Sequence, residues 1–358
     1  LRKNPIDITG GFRTGSQVHT LYKYFDPQGP TQSSTIEQGW NFLPNPYSAN
    51  LSIPAIISAV PTYKAVHVYD PSSGQYAAYT SSTAINYNTG STNAPAGWSV
   101  GPMGGFWVKL EPADPVSQSF SITESMVDMD QSGISQLRTQ ALNQLEVIVS
   151  SPNGFSDKTM VVFHSGTTRG MDQGWDAYKR KSPLSTHPSL FSVDGNLEFS
   201  INTLPEVVQQ SLPLGFESEI TGNFTLQVDL DNFDPHTHII LEDQLTGNFH
   251  DLRTGGYSFQ HNQPGTSSRF ILHFSGYPMD LKEWEKNFSL GVLVNSGSRV
   301  IYIPNENSGP VNLRGFDALG RLIFEMRTDH QVDLSQYDSP GIEILHVTGS
   351  GRSVRMKF

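Results

Sequence analysis

The C-terminal stretch from Leu290 to Phe358 constrains the fold most, because apolar and polar residues alternate there in short runs separated by turn residues. Within one run, Leu322, Phe324 and Met326 fall on one face and the residues between them on the other. The runs are Leu290–Asn295, Ser298–Ile303, Pro310–Asp317, Gly320–Arg327, His330–Leu334, Ile342–Thr348 and Arg352–Phe358. Strands this short, with turns such as Asn-Ser-Gly and Gly-Ser-Gly between them, predict a small antiparallel β-sandwich of seven strands.

The same stretch contains three segments in a fixed order: FDALGRLIFEMR, then HQVDLSQYDSPGIEILHV, then RSVRMKF at the chain end. In this order they resemble the C-terminal sorting domain of the type IX secretion system of Bacteroidota. The matching positions are Asp317, Gly320, Arg321, Pro340, Gly341, Arg355, Lys357 and Phe358. Glu343 departs from the family pattern, which often has an aromatic residue at that place.

The resemblance implies an export signal that is read by the secretion machinery and normally removed at the cell surface. The partners it implies are the outer-membrane β-barrel shuttle protein and the type IX translocon. The residues that we expect to contact them are Gly320, Arg321, Arg355, Lys357 and Phe358. A terminal edge strand offers unpaired backbone groups and a free carboxylate for such docking. The alternative is that Phe358 only closes the core of its own domain.

Length, charge and cysteine usage limit the number of domains, the possible chemistry and the possible partners of the chain. A chain of 358 residues predicts two or three domains with their own cores. Cysteine is absent, which excludes disulfides, thiolate metal sites and a cysteine nucleophile. The net charge is −11, and the excess of acidic residues lies in 1–289, with 27 acidic and 16 basic side chains. An acidic body lacks the clustered Lys and Arg that a phosphate backbone requires, so we expect no nucleic-acid partner.

The sequence shows neither a membrane-spanning run nor a leader. No apolar run reaches the roughly 18 residues needed to cross a bilayer. The chain starts LRKNPIDITGG, without a signal peptide, which indicates a mature protein or a fragment. The predicted domains are a β module at 1–112, a larger β-sandwich at 113–278, a charged linker at 279–289 and the sorting domain at 290–358.

The first predicted domain reads as strands and loops. Gly39, Pro44 and Pro54 punctuate Ile36–Pro54 and predict that no helix forms there. Ala65–Tyr79 predicts a hairpin around the turn Asp-Pro-Ser-Ser-Gly. Three segments resemble a β module found in large Bacteroidota surface proteins: Trp40 to Tyr47, Tyr69 to Tyr76 and Gly104 to Lys109. Pro44 stands where that module usually has glycine.

The second predicted domain is again strand-rich, with one stretch of helical period at Ser135–Leu145. It resembles a unit that often precedes the sorting domain in such proteins. The matching segments are Asp172 to Lys179, Leu197 to Leu204, Pro213 to Phe216, Leu241 to Thr246, Asp251-Leu252, Tyr257 to Phe259 and Arg269 to Phe274.

Two segments contain residues that bind metals in other proteins. Asp128–Gly133 begins like a calcium loop, but Thr139 stands where a bidentate Glu is needed, so an Asp-rich turn is favoured over calcium. His236 and His238 would face the same side of a strand and could bind zinc with a third ligand from His250, His261 or His273. Solvated histidines are favoured over this site, so we expect no metal or other cofactor, with calcium as the alternative.

Two patterns invite an enzymatic interpretation. Asp172 and Asp176 flank Trp175 and could act as acid and base on a glycoside, but a loop held by side-chain-to-backbone hydrogen bonds is favoured. Ser165 lacks the Gly-x-Ser-x-Gly elbow of a nucleophilic serine. The chain has five Trp and 13 Tyr residues, which could form a carbohydrate platform or simply pack cores.

Together these observations predict an all-β fold of tandem β-sandwich domains ending in a small immunoglobulin-like seven-stranded sandwich. We expect a non-enzymatic cell-surface or secreted protein, associated with the outer membrane and exported by the type IX secretion system. The alternative is an adhesin module that binds a surface glycan or another surface protein. A glycoside hydrolase is the third and least favoured class.

Overall fold

The computed structural model describes residues 14–23, 38–85, 98–128, 142–206, 209–262, 265–275, 293–295, 300–302, 311–317, 319, 321–328, 332–333, 344–349 and 352–357. Within these residues the chain forms 27 strands and one α-helix, so the all-β fold class is confirmed. No helix in this part of the chain is long and apolar enough to cross a membrane.

The chain divides into two compact units. Unit 1 consists of Leu1–Pro205, Gly215–Phe233 and Ser258–Ser267, and unit 2 of Glu206–Leu214, Asp234–Tyr257 and Ser268–Phe358. The domain limits at 112, 278 and 289 stay predictions.

The first nine strands belong to unit 1. They are β1 (Gln17–Tyr22), β2 (Trp40–Pro44), β3 (Leu51–Ser52), β4 (Ala65–Asp70), β5 (Gln75–Thr80), β6 (Ala84–Ile85), β7 (Ser99–Val100), β8 (Gly105–Lys109) and β9 (Ser117–Ile122). Five of them form an antiparallel sheet in the order β2-β8-β4-β5-β6, while β1 pairs with β9 and β3 with β7. The hairpin predicted at Ala65–Tyr79 is present as β4 and β5, and Gly74 closes its turn at φ +70°, where glycine is favoured.

A short helix, α1 (Ile53–Ala59), interrupts the strands, and the prediction that Pro54 forbids a helix was wrong at this point. Proline is tolerated in the first turn of a helix, because the backbone N–H that it lacks has no intrahelical acceptor there. The Ser52 side chain caps the helix by accepting a hydrogen bond from the Ala55 N–H. Ile53, Ile56 and Ile57 are buried and hold the helix against the core of the first strands.

The next eleven strands are β10 (Asn143–Ser150), β11 (Ser156–Phe163), β12 (Ala177–Tyr178), β13 (Ser189–Asp194), β14 (Leu197–Leu204), β15 (Gln209–Ser218), β16 (Gly222–Asn232), β17 (His238–Asp243), β18 (Asn248–Asp251), β19 (Tyr257–His261) and β20 (Gly265–Ser275). The helix predicted over Ser135–Leu145 was wrong at its end, because Asn143 to Leu145 begin β10. The earlier part of that prediction lies outside the described residues, apart from Leu142.

Within unit 1, β10 pairs with both β11 and β16, and β14 lies between β11 and β13. The β11–β14 pair is parallel, unlike the antiparallel pairs around it. A hydrophobic cluster contains side chains from these strands and from the five-stranded sheet, including Ala78, Ile85, Met160, Val162 and Ile201. Residues on both sides of position 112 therefore share one buried cluster.

In unit 2, β17 pairs with β18 on one side and β20 on the other. Asp243, at the end of β17, is fully buried and is held by the guanidinium of Arg269 and the hydroxyl of Tyr257.

The described residues of the C-terminal stretch form seven strands, at the places predicted: β21 (Leu293–Asn295), β22 (Val300–Tyr302), β23 (Val311–Phe316), β24 (Leu322–Thr328), β25 (Val332–Asp333), β26 (Ile344–Gly349) and β27 (Arg352–Lys357). They form a three-stranded sheet, β21-β22-β25, and a four-stranded sheet, β24-β23-β26-β27, with antiparallel pairs throughout. Of the residues predicted to share one face of β24, Phe324 is buried, while Leu322 is 52% exposed. The predicted linker at 279–289 lies outside the described residues.

Candidate binding surface

Five aromatic side chains lie on one face of the five-stranded sheet, and we call this set the aromatic face. Its members are Trp40, Phe42, Tyr69, Tyr76 and Trp107. The register places Phe42 opposite Trp107 and Tyr69 opposite Tyr76, and residues opposite one another on paired strands point the same way. The alternate residues of these strands, such as Leu43, Val66 and Phe106, are buried in the core on the other side of the sheet. The period-two pattern thus separates the face that packs in this core from the aromatic face, on which Ala65 and Ala78 are buried in the cluster shared with Met160 and Ile201.

Arg180, which follows β12, covers part of the aromatic face. Its guanidinium carbon lies 3.6 Å from the ring centre of Trp107, 4.9 Å from Tyr76 and 5.0 Å from Trp40. A cation over an aromatic ring at this range is stabilised by roughly 0.5–2 kcal/mol, the larger value where water is excluded. We did not predict this contact from the sequence. The available signal was the basic run Lys179-Arg180-Lys181 in an acidic region.

The ring of Phe42 is held in place although 55% of the residue is exposed. It packs against Trp107 with ring centres 5.2 Å apart, and it lies across Gly105. A Cβ atom at Gly105 would sit 2.1 Å from the Phe42 ring, so only glycine permits this position without a shift. The exposed ring therefore occupies a defined place on the surface.

A buried polar network lies beside the aromatic face, on the same side of the sheet, where His67 of β4 pairs with Trp107 of β8. The Tyr63 hydroxyl is hydrogen-bonded to Nε2 of His67 at 2.8 Å and accepts a hydrogen bond from the Tyr178 N–H at 3.0 Å. The Tyr178 hydroxyl donates to Glu111 at 3.3 Å. Burial, together with the positive charges of Arg180 and Lys179, lowers the pKa of His67 to about 3, so this imidazole is neutral at physiological pH.

The pKa values of two charged groups of the network are shifted in opposite directions. Burial lowers the pKa of Lys109, although Glu111 and Asp114 oppose the shift. Burial raises the pKa of Glu111 against the effect of Lys109. Tyr63 and His67 are fully buried, and we interpret the network as the packing of β12 on the five-stranded sheet.

The Asp172–Asp176 loop has the side-chain-to-backbone hydrogen bonds that favoured the structural interpretation. Asp176 accepts hydrogen bonds from the N–H groups of Asp172 and Thr203 at 2.7 and 2.6 Å, and Asp172 accepts one from the Thr168 N–H at 2.6 Å. Burial raises the pKa of Asp176 to about 7, and the residue is 1% exposed. A carboxyl group enclosed in this way stabilises its loop and is not accessible to a glycoside.

The histidine pair does not form the predicted strand geometry. β17 begins at His238, whereas His236 lies in a turn where its N–H donates to Asp234. Within the described part of the chain, no group of three or more His, Asp or Glu residues could hold a metal ion. Of the candidate calcium loop only Asp128 is described, and residues 129–133 lie outside the described residues.

A hydrogen-bonded Ser–His–Glu triplet that we did not predict links three strands in unit 2. Nδ1 of His273 lies 2.7 Å from the Ser211 hydroxyl, and Nε2 lies 2.8 Å from Glu242. His273 is 1% exposed, and burial lowers its pKa despite the adjacent carboxylate. Because the imidazole is buried and both of its nitrogens are hydrogen-bonded, we infer that these hydrogen bonds stabilise the pairing of the strands.

The residues predicted to contact the secretion machinery are partly described. Arg321 is exposed and forms an ion pair with Asp317 at 2.6 Å. Arg355 and Lys357 lie in β27, opposite His346 and Ile344 of β26, and β27 is an edge of its sheet among the described strands. Gly320 and Phe358 lie outside the described residues, as do Pro340 and Gly341.

Comparison with known proteins gives one curated relative and one family. The chain is 25% identical over 175 residues to the minor fimbrium subunit Mfa5 of Porphyromonas gingivalis. The match covers 49% of this chain and 14% of that protein, so the chain corresponds to a small part of the relative's length. No solved structure matches the chain. Residues 6–274 match a protein family, and the chain belongs to that family, described as "Domain of unknown function (DUF8693)".

Proposed function

We propose that the chain is a non-enzymatic cell-surface or secreted protein of fimbrial-subunit type, exported by the type IX secretion system. In this proposal the C-terminal strands act as the sorting signal, recognised by the outer-membrane shuttle and the translocon, and the protein remains associated with the outer membrane. The observation that carries it is the similarity to a minor fimbrium subunit of a Bacteroidota species.

The architecture of the C-terminal stretch supports the sorting role. Its seven strands fall where the alternation of the sequence predicts them, and the segments that resemble a sorting domain occupy β23 to β27. An edge strand such as β27 presents backbone groups that another protein can pair with. Arg355 and Lys357 place two positive charges on this strand.

A secretion assay in the native cell tests the proposal. The Arg355→Glu/Lys357→Glu variant should accumulate inside the outer membrane, as wild type should in a strain that lacks the secretion channel. The control is Arg327→Glu, a charge reversal on β24 of the same sheet, where residue 327 lies opposite Asn312, and it should be exported. Surface exposure of wild type without the channel would refute type IX export, and export of the β27 variant at the wild-type level would refute the assigned contact.

An adhesin function for the first two predicted domains is the second candidate, and the aromatic face favours it. The face combines an exposed ring with aromatic and arginine side chains, the types that dominate recognition surfaces. Binding of a surface glycan or another surface protein is compatible with export, because a sorting signal does not specify what its cargo does. Asp172 and Asp176 were the best carboxylate pair for a glycoside hydrolase, but both accept hydrogen bonds from backbone N–H groups of their own loop, which counts against this alternative.

A further inference from the structure

We propose that the side chains of Lys179 and Asp157 form a covalent amide, an isopeptide bond, inside unit 1. Nζ of Lys179 lies 2.5 Å from Oδ2 of Asp157, and the two side chains are 1% and 0% exposed. The inference goes beyond the proposed function and does not depend on it, because such a bond forms within the fold whatever the protein binds.

Strand pairing holds both residues in place. Asp157 lies in β11, opposite Val149 of β10, and Lys179 directly follows β12. The Lys179 N–H donates to the Glu198 carbonyl of β14 at 2.8 Å, so the backbone is fixed at this end as well. Two groups held in contact react as if each were present at a very high effective concentration, about 10⁵ M or more. The arrangement therefore favours a reaction between them.

The surroundings of the pair favour the uncharged forms that react. Burial lowers the pKa of Lys179, although the carboxylate of Asp157 opposes the shift. Enclosing two charges costs free energy, and transfer of one proton from the ammonium to the carboxylate gives a neutral amine and a neutral acid. Lys158 and Glu146 are also paired, at 2.8 Å, but they are 13% and 22% exposed, so water stabilises their charges. Exclusion of water from the enclosed pair also protects an amide from hydrolysis.

The reaction needs no further reactant. A first proton passes from Nζ to Oδ2 along their hydrogen bond, and the amine lone pair then forms a bond to Cγ of Asp157. A second proton passes from the nitrogen to Oδ2, the bond between Cγ and Oδ2 breaks, and one water molecule leaves. The Leu190 N–H donates to Oδ2 at 2.6 Å, so it stabilises negative charge on this oxygen as the bond breaks. The ammonium and the carboxylate thus become an amide and water, with no change in oxidation state.

The bond would fasten β11 to the end of β12. Both strands pair with β14, and the chain between the two residues becomes a closed loop. Closing a loop removes conformations from the unfolded chain, which is one way in which a disulfide stabilises a fold. The sequence has no cysteine, so an amide gives this chain a covalent cross-link that a disulfide cannot supply.

Intact mass spectrometry of the purified full chain under denaturing conditions tests the proposal. We expect the chain to be lighter than its sequence by one water molecule, about 18 Da. Trypsin, which cleaves after Lys and Arg, should give a branched peptide in which residues 139–158 are joined to residues 170–180. Fragmentation of this peptide should locate the bond between Asp157 and Lys179.

Three variants assign the loss of water to this pair. Lys179→Arg and Asp157→Ala should have their full sequence masses and give no branched peptide, because each lacks one of the reacting groups. The matched control is Lys158→Arg, which changes the neighbouring lysine in the more exposed pair with Glu146. This control should remain lighter by one water molecule, as wild type is.

The proposal is overturned if the wild-type chain has its full sequence mass, because the two residues then form an ordinary ion pair. It is also overturned if the missing water comes from another site, such as a cyclised aspartate, which leaves the peptides unbranched. Retention of the branched peptide by Lys179→Arg would assign the bond to a different residue and overturn it as well. The wild-type digest decides the question by itself, so a variant that fails to fold does not prevent the test.

Discussion

The carboxyl group of Asp243 shows how one side chain makes stability depend on pH. Burial alone would raise its pKa, but hydrogen bonds from Arg269 and Tyr257 outweigh burial and lower the pKa to about 2. Because this value lies below the unfolded pKa of about 3.9, the pair stabilises the fold above pH 4 and loses that contribution as the pH falls from about 4 to about 2.

We therefore expect Asp243→Asn to destabilise unit 2 at pH 7 by on the order of 3 kcal/mol, since it leaves a buried arginine without its carboxylate. The variant should also lose less additional stability than wild type between pH 4 and pH 2, as measured by thermal unfolding followed by circular dichroism. Asp317→Asn removes a carboxylate from the exposed pair with Arg321 and should change stability less. An equal loss in both variants would contradict the role of burial.

At the scale of the element, the cap of α1 explains a helix that sequence reasoning missed. The Ser52 hydroxyl accepts the Ala55 N–H at 3.3 Å, and Pro54 occupies the first turn. We expect Ser52→Ala to lower the free energy of unfolding by about 1 kcal/mol, because one N–H of the first turn loses its acceptor. Ser52→Asp should retain most of the stability, since Asp also caps helices. Urea unfolding of both variants measures the difference, and equal loss in both would show that the cap does not matter.

Another element, β23, depends on the absence of a side chain at Gly315. A Cβ atom there would lie 2.2 Å from the ring of Phe324 on β24. Gly315→Ala should push this buried ring aside at a cost of about 1–3 kcal/mol. Hydrogen exchange measured by mass spectrometry on the full chain should then show faster exchange in residues 311–328.

The double variant Gly315→Ala/Phe324→Leu provides the control for β23. A smaller side chain at position 324 makes room for the new methyl group, so part of the protection should return. If the double variant exchanges faster than the sum of the two single changes predicts, the steric explanation is wrong.

Strand positions could be predicted from the sequence because the signal is local. The alternation of apolar and polar residues between turn residues predicted the hairpin of β4 and β5 and the seven C-terminal strands close to their observed bounds. Pro54 was misread because the effect of proline reverses between the interior and the first turn of a helix. His236 and His238 were placed on one strand face, but a turn at Asp234 delays the strand to His238.

At the scale of the whole molecule, the aromatic face could not be predicted because it depends on long-range pairing. Trp107 meets Phe42 through the register of β2 and β8, and Arg180 reaches both Trp40 and Trp107 from a segment far along the chain. The sequence shows that aromatic residues are frequent, but only the fold determines which of them remain partly exposed.

The packing of β12 on the five-stranded sheet makes a prediction for the molecule as a whole. Tyr63 and Ala78 share a hydrophobic cluster with Met160, Tyr178 and Ile201, so residues before and after position 112 contribute to one core of unit 1. Such a core is expected to unfold cooperatively. Two independent domains with a boundary near 112 would instead lose protection separately.

Tyr63→Phe distinguishes these two cases, because it removes a hydroxyl that is hydrogen-bonded to His67 and to the Tyr178 N–H. Leaving both buried groups without this partner should cost about 1–3 kcal/mol. In hydrogen exchange of the full chain, we expect residues 65–80 and residues 177–204 to lose protection together and by similar factors. Tyr22→Phe, at a residue 49% exposed, should leave both segments unchanged. Faster exchange confined to one of the two segments would show that the shared cluster does not couple them, and would favour independent domains.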